Sequence, residues 1–287
     1  MTGAHVKKLS ILLLLAGLFQ LPHVLAAPAT IAVISFAEKP LHLIRATTLY
    51  TIGAGTRLQG GDILQTGGTG IQIEGLAPAI VALGPDTRIL IATNSKAAQI
   101  NLLSGWLKLQ PVAASAHASL AVNAGGLAFN VTNSASVIHV GPRQSEMFVE
   151  DGRQPVTELD NHGKAGRTLT LNHEDFAQRA GDAPLKTTAR PEQAFVDALP
   201  RPFLDPLVAL GKKIPAAPAL KKERDVTYED IAPWVVSPLN LSQQMLASRF
   251  APRLTDPAFR QAVKTNRGGV LEWEIELLRL ERRKNPH

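Results

Sequence analysis

The residues best equipped for acid–base or metal chemistry are the carboxylates Glu150, Asp151, Glu158 and Asp160 and the histidines His42, His117, His139, His162, His173 and His287. A catalytic pair or a ligand set needs such groups in one place, and tight spacing is how a sequence signals it. No His-Glu-x-x-His is present. His173-Glu174-Asp175 could hold a weak cation, but Asn172 to Asp175 reads better as a turn or helix start. His139, between Ile138 and Val140, reads as a surface-facing strand residue. The four carboxylates read as exposed charge. Nucleophilic chemistry finds no cysteine and no Gly-x-Ser-x-Gly elbow. Gly53-Ala54-Gly55-Thr56-Arg57-Leu58 lacks both the third glycine of a dinucleotide fingerprint and the Gly-Lys-Ser/Thr of a phosphate loop, so it reads as a turn. Asp62, directly after Gly60-Gly61, suits a turn cap better than a catalytic acid. The expectation is a non-enzymatic chain with no catalytic, cofactor-binding or metal-ligating residue and no cofactor.

The N-terminus reads as an export signal. Lys7 and Lys8 precede an apolar run from Leu9 to Phe19, and Val24-Leu25-Ala26 places small residues where a signal peptidase inspects, which predicts cleavage between Ala26 and Ala27. The run is shorter than the roughly 20 apolar residues that span hydrocarbon, and Gln20, Pro22 and His23 break it. The mature chain is expected to be periplasmic or secreted and not membrane-spanning. Without cysteine, it must be held by its core. Only 19% of residues are charged and 5% aromatic, with 22 glycines and 20 prolines, a balance that suits a β-rich, turn-rich fold. Charge is uneven: Ala27 to Pro200 carries 13 Lys+Arg against 14 Asp+Glu, and Arg201 to His287 carries 15 against 10. The basic third admits an acidic partner, although a solvated helix surface explains it more simply. Nucleic acid is disfavoured by the compartment.

From Ile31 to about Leu171 the periodicity is two, with turn residues at short intervals. Ile71-Gln72-Ile73-Glu74 alternates cleanly, and Gly84-Pro85-Asp86 separates Ala79–Leu83 from Arg88–Ile91. Ile100 to Leu109 reads as two strands broken at Ser104-Gly105. No helical stripe of twelve or more residues interrupts this region, so a doubly wound α/β fold is unsuited. A mainly β fold is expected: a two-sheet β-roll, a sandwich or a short β-solenoid, followed by a small helical region. Prolines from Pro184 to Pro218 predict a linker with short helices. Helix starts are signalled by Thr227 with Asp230, by Ser237-Pro238 and by Asp256-Pro257. The last helix, about Val270 to Arg283, carries Leu271, Ile275 and Leu278 beside Trp273, Leu277 and Leu280, a broad apolar face that must pack on something. Trp106 and Trp273 read as core, and Trp234 as the least constrained tryptophan.

The β region resembles the FecR domain, a bacterial extracytoplasmic β module. The resemblance rests on Gly55, Leu58, Gly61-Asp62 and Thr66-Gly67, then Leu83-Gly84-Pro85-Asp86-Thr87, Leu102-Leu103-Ser104-Gly105-Trp106 and Phe148-Val149-Glu150-Asp151-Gly152, in that order over roughly Ile31 to Phe176. It implies a structural role for Gly61, Asp62, Thr66, Gly67 and Gly105; together with the export signal, the prolines and the helix caps, it gives the expected division: signal peptide 1–26, FecR-like domain 27–181, Pro-rich linker 182–226 and helical region 227–287. Membrane-anchored members of that family pass a signal to a cytoplasmic segment. Here only eight residues precede the apolar run, and Leu127-Ala128-Phe129-Asn130-Val131 stands where the family has Gly-Thr. The expected function is a periplasmic binding or scaffold protein, with another envelope protein or a cell-wall polymer as partner and a homodimer possible. The alternative is a membrane-anchored regulator whose signal is retained. An envelope hydrolase has no supporting motif.

Overall fold

The computed structural model describes residues 29–93, 97–113, 118–237, 239, 243–266 and 270–284. The predicted cleavage point at Ala26 and Ala27 lies outside them, as do His117, His287, Pro238 and Gly268-Gly269.

In chain order the strands are β1 (Thr30–Ala37), β2 (Leu41–Arg45), β3 (Thr48–Ile52), β4 (Arg57–Gln59), β5 (Ile63–Gln65), β6 (Ile71–Glu74), β7 (Ala79–Leu83), β8 (Arg88–Thr93) and β9 (Ala98–Pro111). There follow β10 (Leu120–Ala124), β11 (Leu127–Asn130), β12 (Ala135–Val140), β13 (Gln144–Asp151), β14 (Arg153–Leu159), β15 (Ala165–Asn172), β16 (Phe176–Ala180), β17 (Lys186–Thr188) and β18 (Lys221–Asp225). They form one large curled sheet, antiparallel except where β9 meets β10.

The sheet curls because two ladders share β9. One runs β4-β1-β6-β7-β9-β12-β13-β16-β17. The other runs β18-β3-β2-β5-β8-β9-β10-β11-β14-β15. The first part of β9 pairs with β8 and β10, and the part from Gly105 onward pairs with β7 and β12. The expected break at Ser104-Gly105 is therefore a bend within one 14-residue strand, made at Gly105 with φ +95°. Such a conformation favours glycine.

Alternation fills the interior of the curl. Leu120, Val122 and Ala124 of β10 point in, as do Leu41 and Leu43 of β2 and Ile89 and Ile91 of β8. The middle strands are buried on both faces, so β7 is buried along its whole length. Two further clusters explain this. Trp106 and Ala82, on the outer face of the first ladder, lie under Phe195 and Phe203. Ile44, Ile63 and Leu90, on the outer face of the second, lie under the C-terminal helices.

The 182–226 segment spans the two ladders. It contributes β17, then helix α1 (Gln193–Ala198) and a 3-10 turn at Arg201–Phe203 across the first ladder, and ends as β18 on the edge of the second. Lys221 to Asp225 is charged and exposed, which discourages further strand addition at that edge. The C-terminal helices are α2 (Tyr228–Val235), α3 (Gln243–Phe250), α4 (Pro257–Asn266) and α5 (Leu271–Lys284). The capping residues sit as expected: Asp230 accepts from the Thr227 N–H at 2.7 Å, and Asp256 accepts from the Ala258 N–H at 2.8 Å. Trp234 is not loosely held; it is 1% exposed within the cluster beneath the helices. Nor does the last helix bury both its ridges, since Leu271, Ile275 and Leu278 remain exposed.

Candidate functional site

Gly61, Asp62, Thr66, Gly67 and Gly105 gather at the two ends of β5. At one end, Thr66, Thr87 and Trp106 close a ring of hydrogen bonds. The Thr66 hydroxyl donates to the Gly84 carbonyl at 2.7 Å and accepts from the Thr87 N–H at 2.8 Å. The Thr87 hydroxyl accepts from the Trp106 N–H at 2.9 Å, and the Gly84 N–H donates to the Trp106 carbonyl at 2.9 Å. The Gly67 carbonyl takes the Asp86 N–H at 2.8 Å. A Cβ on Gly105 would stand 2.6 Å from the Thr87 Cα, so the motif glycine is also the only residue type that lets these turns meet.

A groove of about 410 Å³ lies over this corner. Its floor is Gly68 to Ile71 with Leu83, Gly84 and Pro85, and its wall is the strap from Pro200 to Val208. Phe36 and Val208 stand at its lip, 52% and 72% exposed. Glu38 and Arg201 are the charged residues of its lining. An apolar cleft with few polar groups is the usual form of a binding site.

The strap is held from below by Lys108. The Lys108 side chain leaves the outer face of β9 and is 1% exposed, with Nζ donating to the Phe203 carbonyl at 2.6 Å and to Glu150 at 2.8 Å. A buried ammonium is costly unless paired, and these two acceptors pair it. Farther along, Gln72 donates to the Val208 carbonyl at 3.0 Å, and Glu74 accepts the Leu210 N–H at 2.8 Å. Burial pushes the Glu74 carboxyl up, but the N–H groups of Leu210 and Gly211, with Ser35 and Gln72, hold it below the usual range.

At the other end of β5, Gly61 and Asp62 meet the helical region. Asp62 is 1% exposed and accepts from Arg45 Nε and Nη2 at 2.9 and 2.6 Å and from the Gln59 N–H at 2.8 Å. Arg249 of α3 donates to the carbonyls of Ile44, Ala46 and Gly61, the last at 2.5 Å. Burial lowers the Arg249 pKa to about 10, with the Asp62 charge opposing the drop. Asp62 does cap its turn, and it also balances two arginines.

The other sequence candidates are taken up in separate pairings. His139 stacks on Trp106 at 4.1 Å and contacts Glu146 at 2.8 Å. His42 faces Glu223, and His173 contacts the Glu150 carbonyl. Glu158 binds Arg167 and the Leu185 N–H, whereas Asp160 turns its own loop through the Lys164 and His162 N–H groups. Among the described residues no group of three or more His, Asp or Glu side chains could hold a metal ion. Lys108, Arg249 and Arg45 went unnoticed in the sequence. Only Lys108 carried any signal, as a lone charge between Leu107 and Leu109.

No protein-family model and no curated protein matches the chain. Among solved structures, two crystal structures of a candidate anti-sigma factor from Parabacteroides distasonis share the arrangement distantly. Each is 12% identical with a TM-score of 0.38 over 47% of this chain, and 62% and 64% of their own chains are matched. Less than two thirds of either neighbour is thus spanned, and the likeness concerns about half of this protein.

Proposed function

We propose that the chain is a FecR-like, non-enzymatic binding or scaffold protein of the bacterial envelope, periplasmic or secreted once its signal is removed. Its site is the groove between the Thr66–Gly84–Gly105 corner and the 200–208 strap, and its partner is another envelope protein presenting an apolar segment. The groove carries this reading: its lining is mostly apolar, with glycine and proline surfaces that leave backbone close to the occupant. A polyhydroxylated wall polymer would find few hydrogen-bond partners there, which favours protein over polysaccharide.

The test is a photo-crosslinking residue at Val208 in cells that export the protein. The expected result is one dominant crosslinked envelope protein, lost when Phe36→Asp is added, together with a mature chain beginning at Ala27. Crosslinks unaffected by Phe36→Asp would remove the groove from the account. A membrane-bound chain still beginning at Met1 would favour the anchored regulator.

A further inference from the structure

Helix α5 uses only half of its apolar surface. Trp273 and Leu277 are buried against the other C-terminal helices, and Leu280 packs beside them. Leu271, Ile275 and Leu278 form a second ridge, 61%, 38% and 54% exposed. At 1.5 Å rise per residue this bare ridge runs about 10 Å along the helix, long enough to take a matching ridge.

The charges beside it are self-complementary. The first half of α5 carries Glu272, Glu274 and Glu276, while the second carries Arg279, Arg282, Arg283 and Lys284 against Glu281. Glu272 and Arg279, seven residues apart, lie on one flank of the exposed ridge. A two-fold axis through Ile275 would bring a second α5 alongside antiparallel, ridge on ridge. It would place Glu272 of each copy within about one residue's rise of Arg279 of the other. Arg279 bonds Glu276 of its own helix at 2.5 Å yet keeps 58% of its side chain exposed, so it can serve both carboxylates. The helix dipole favours the same order of charges in a lone helix. A lone helix has no use for the bare leucine–isoleucine ridge between them.

We infer that this face of α5 is a dimerisation surface, occupied by the same face of a second copy of the chain. The inference is independent of the groove. A contact limited to two 14-residue helices falls in the small, weak class of interfaces, so the dimer is concentration-dependent, with a dissociation constant on the order of 10–100 µM.

Sedimentation equilibrium of the purified full chain from about 1 to 500 µM, a range bracketing that constant, tests it. The wild type is expected to pass from monomer to dimer, and Ile275→Asp to weaken association at least ~10-fold, with the melting temperature of the dilute monomer unchanged. Glu272→Arg and Arg279→Glu should each weaken the dimer, and the double variant should restore it. Three results would overturn the inference: a monomer at every concentration, a dimer indifferent to Ile275→Asp, or single charge reversals that the double variant fails to rescue. A protein that stays monomeric and binds phosphatidylglycerol vesicles through Ile275 would instead assign the ridge to a membrane surface.

Discussion

Gly105 and Gly61 separate two costs of placing a side chain on a glycine. Both have positive φ, +95° and +91°. A Cβ on Gly61 meets no atom within 4 Å, whereas one on Gly105 runs into Thr87. Gly61→Ala should therefore cost about 1 kcal/mol, the scale of left-handed strain alone. Gly105→Ala should cost roughly 3 kcal/mol, because overpacking adds to that strain. Urea unfolding of the two variants measures the difference, and equal costs would contradict the packing at Thr87. Asp62→Asn should cost about 3 kcal/mol, as when a buried pair loses one charge. The motif's glycines and threonine were legible because turn chemistry is local. The charges they meet were not: Lys108 reaches Phe203 across 95 positions, and Arg249 reaches Gly61 across 188. No local pattern encodes such a meeting: Arg249 taken alone reads as solvated, and the apolar neighbours of Lys108 hint at burial without naming its partner.

At the scale of elements, period-two alternation revealed many of the strands, and the capping signals at Thr227 and Asp256 revealed the starts of α2 and α4, whereas β17 and β18 arose in a segment expected to be a linker with short helices. What alternation cannot reveal is burial on both faces, which arises only when a strap or helix lies across a sheet. Trp234 shows this: nothing in its neighbourhood fixed its place, yet it is sealed beneath the helices. The two ridges of α5 were likewise equivalent in sequence, and tertiary packing chose between them. Trp273→Ala should lower stability by about 3–5 kcal/mol, while Ile275→Ala at low protein concentration should stay within about 1 kcal/mol. Guanidinium titrations followed by circular dichroism distinguish them, and a large effect at Ile275 in the monomer would mean that the exposed ridge has a partner within the chain. Arg249→Ala should act as a docking defect. Three backbone carbonyls of the β region would lose their donor, at a cost of about 3 kcal/mol.

Across the whole molecule, carboxylates tie the added segments to the curled sheet. Glu74 holds the strap's continuation at Leu210, Glu158 holds Leu185, and Asp230 caps α2 while pairing with Arg224. Burial raises each of the three carboxyls, and the hydrogen bonds outweigh it, so all three titrate below their ordinary values. A carboxyl depressed in the folded state contributes stability above its unfolded pKa and loses it as pH falls through the folded one. Thermal stability should thus be level at neutral pH and decline once pH drops below roughly 4.5, where unfolded carboxyls begin to take up protons. Calorimetry across that range checks the sign, and stability rising toward acid would contradict it. The Glu74 tie at Leu210, with Lys108 at Phe203 and Gln72 at Val208, also fixes the strap, so the proposed groove is preformed. The partner captured at Val208 should be purified and titrated by calorimetry against the wild-type protein and against Phe36→Asp. Saturable one-to-one binding to the wild type is expected, weakened at least ~10-fold (about 1.4 kcal/mol) by the substitution, with no change in melting temperature. Equal affinity for both proteins would contradict it.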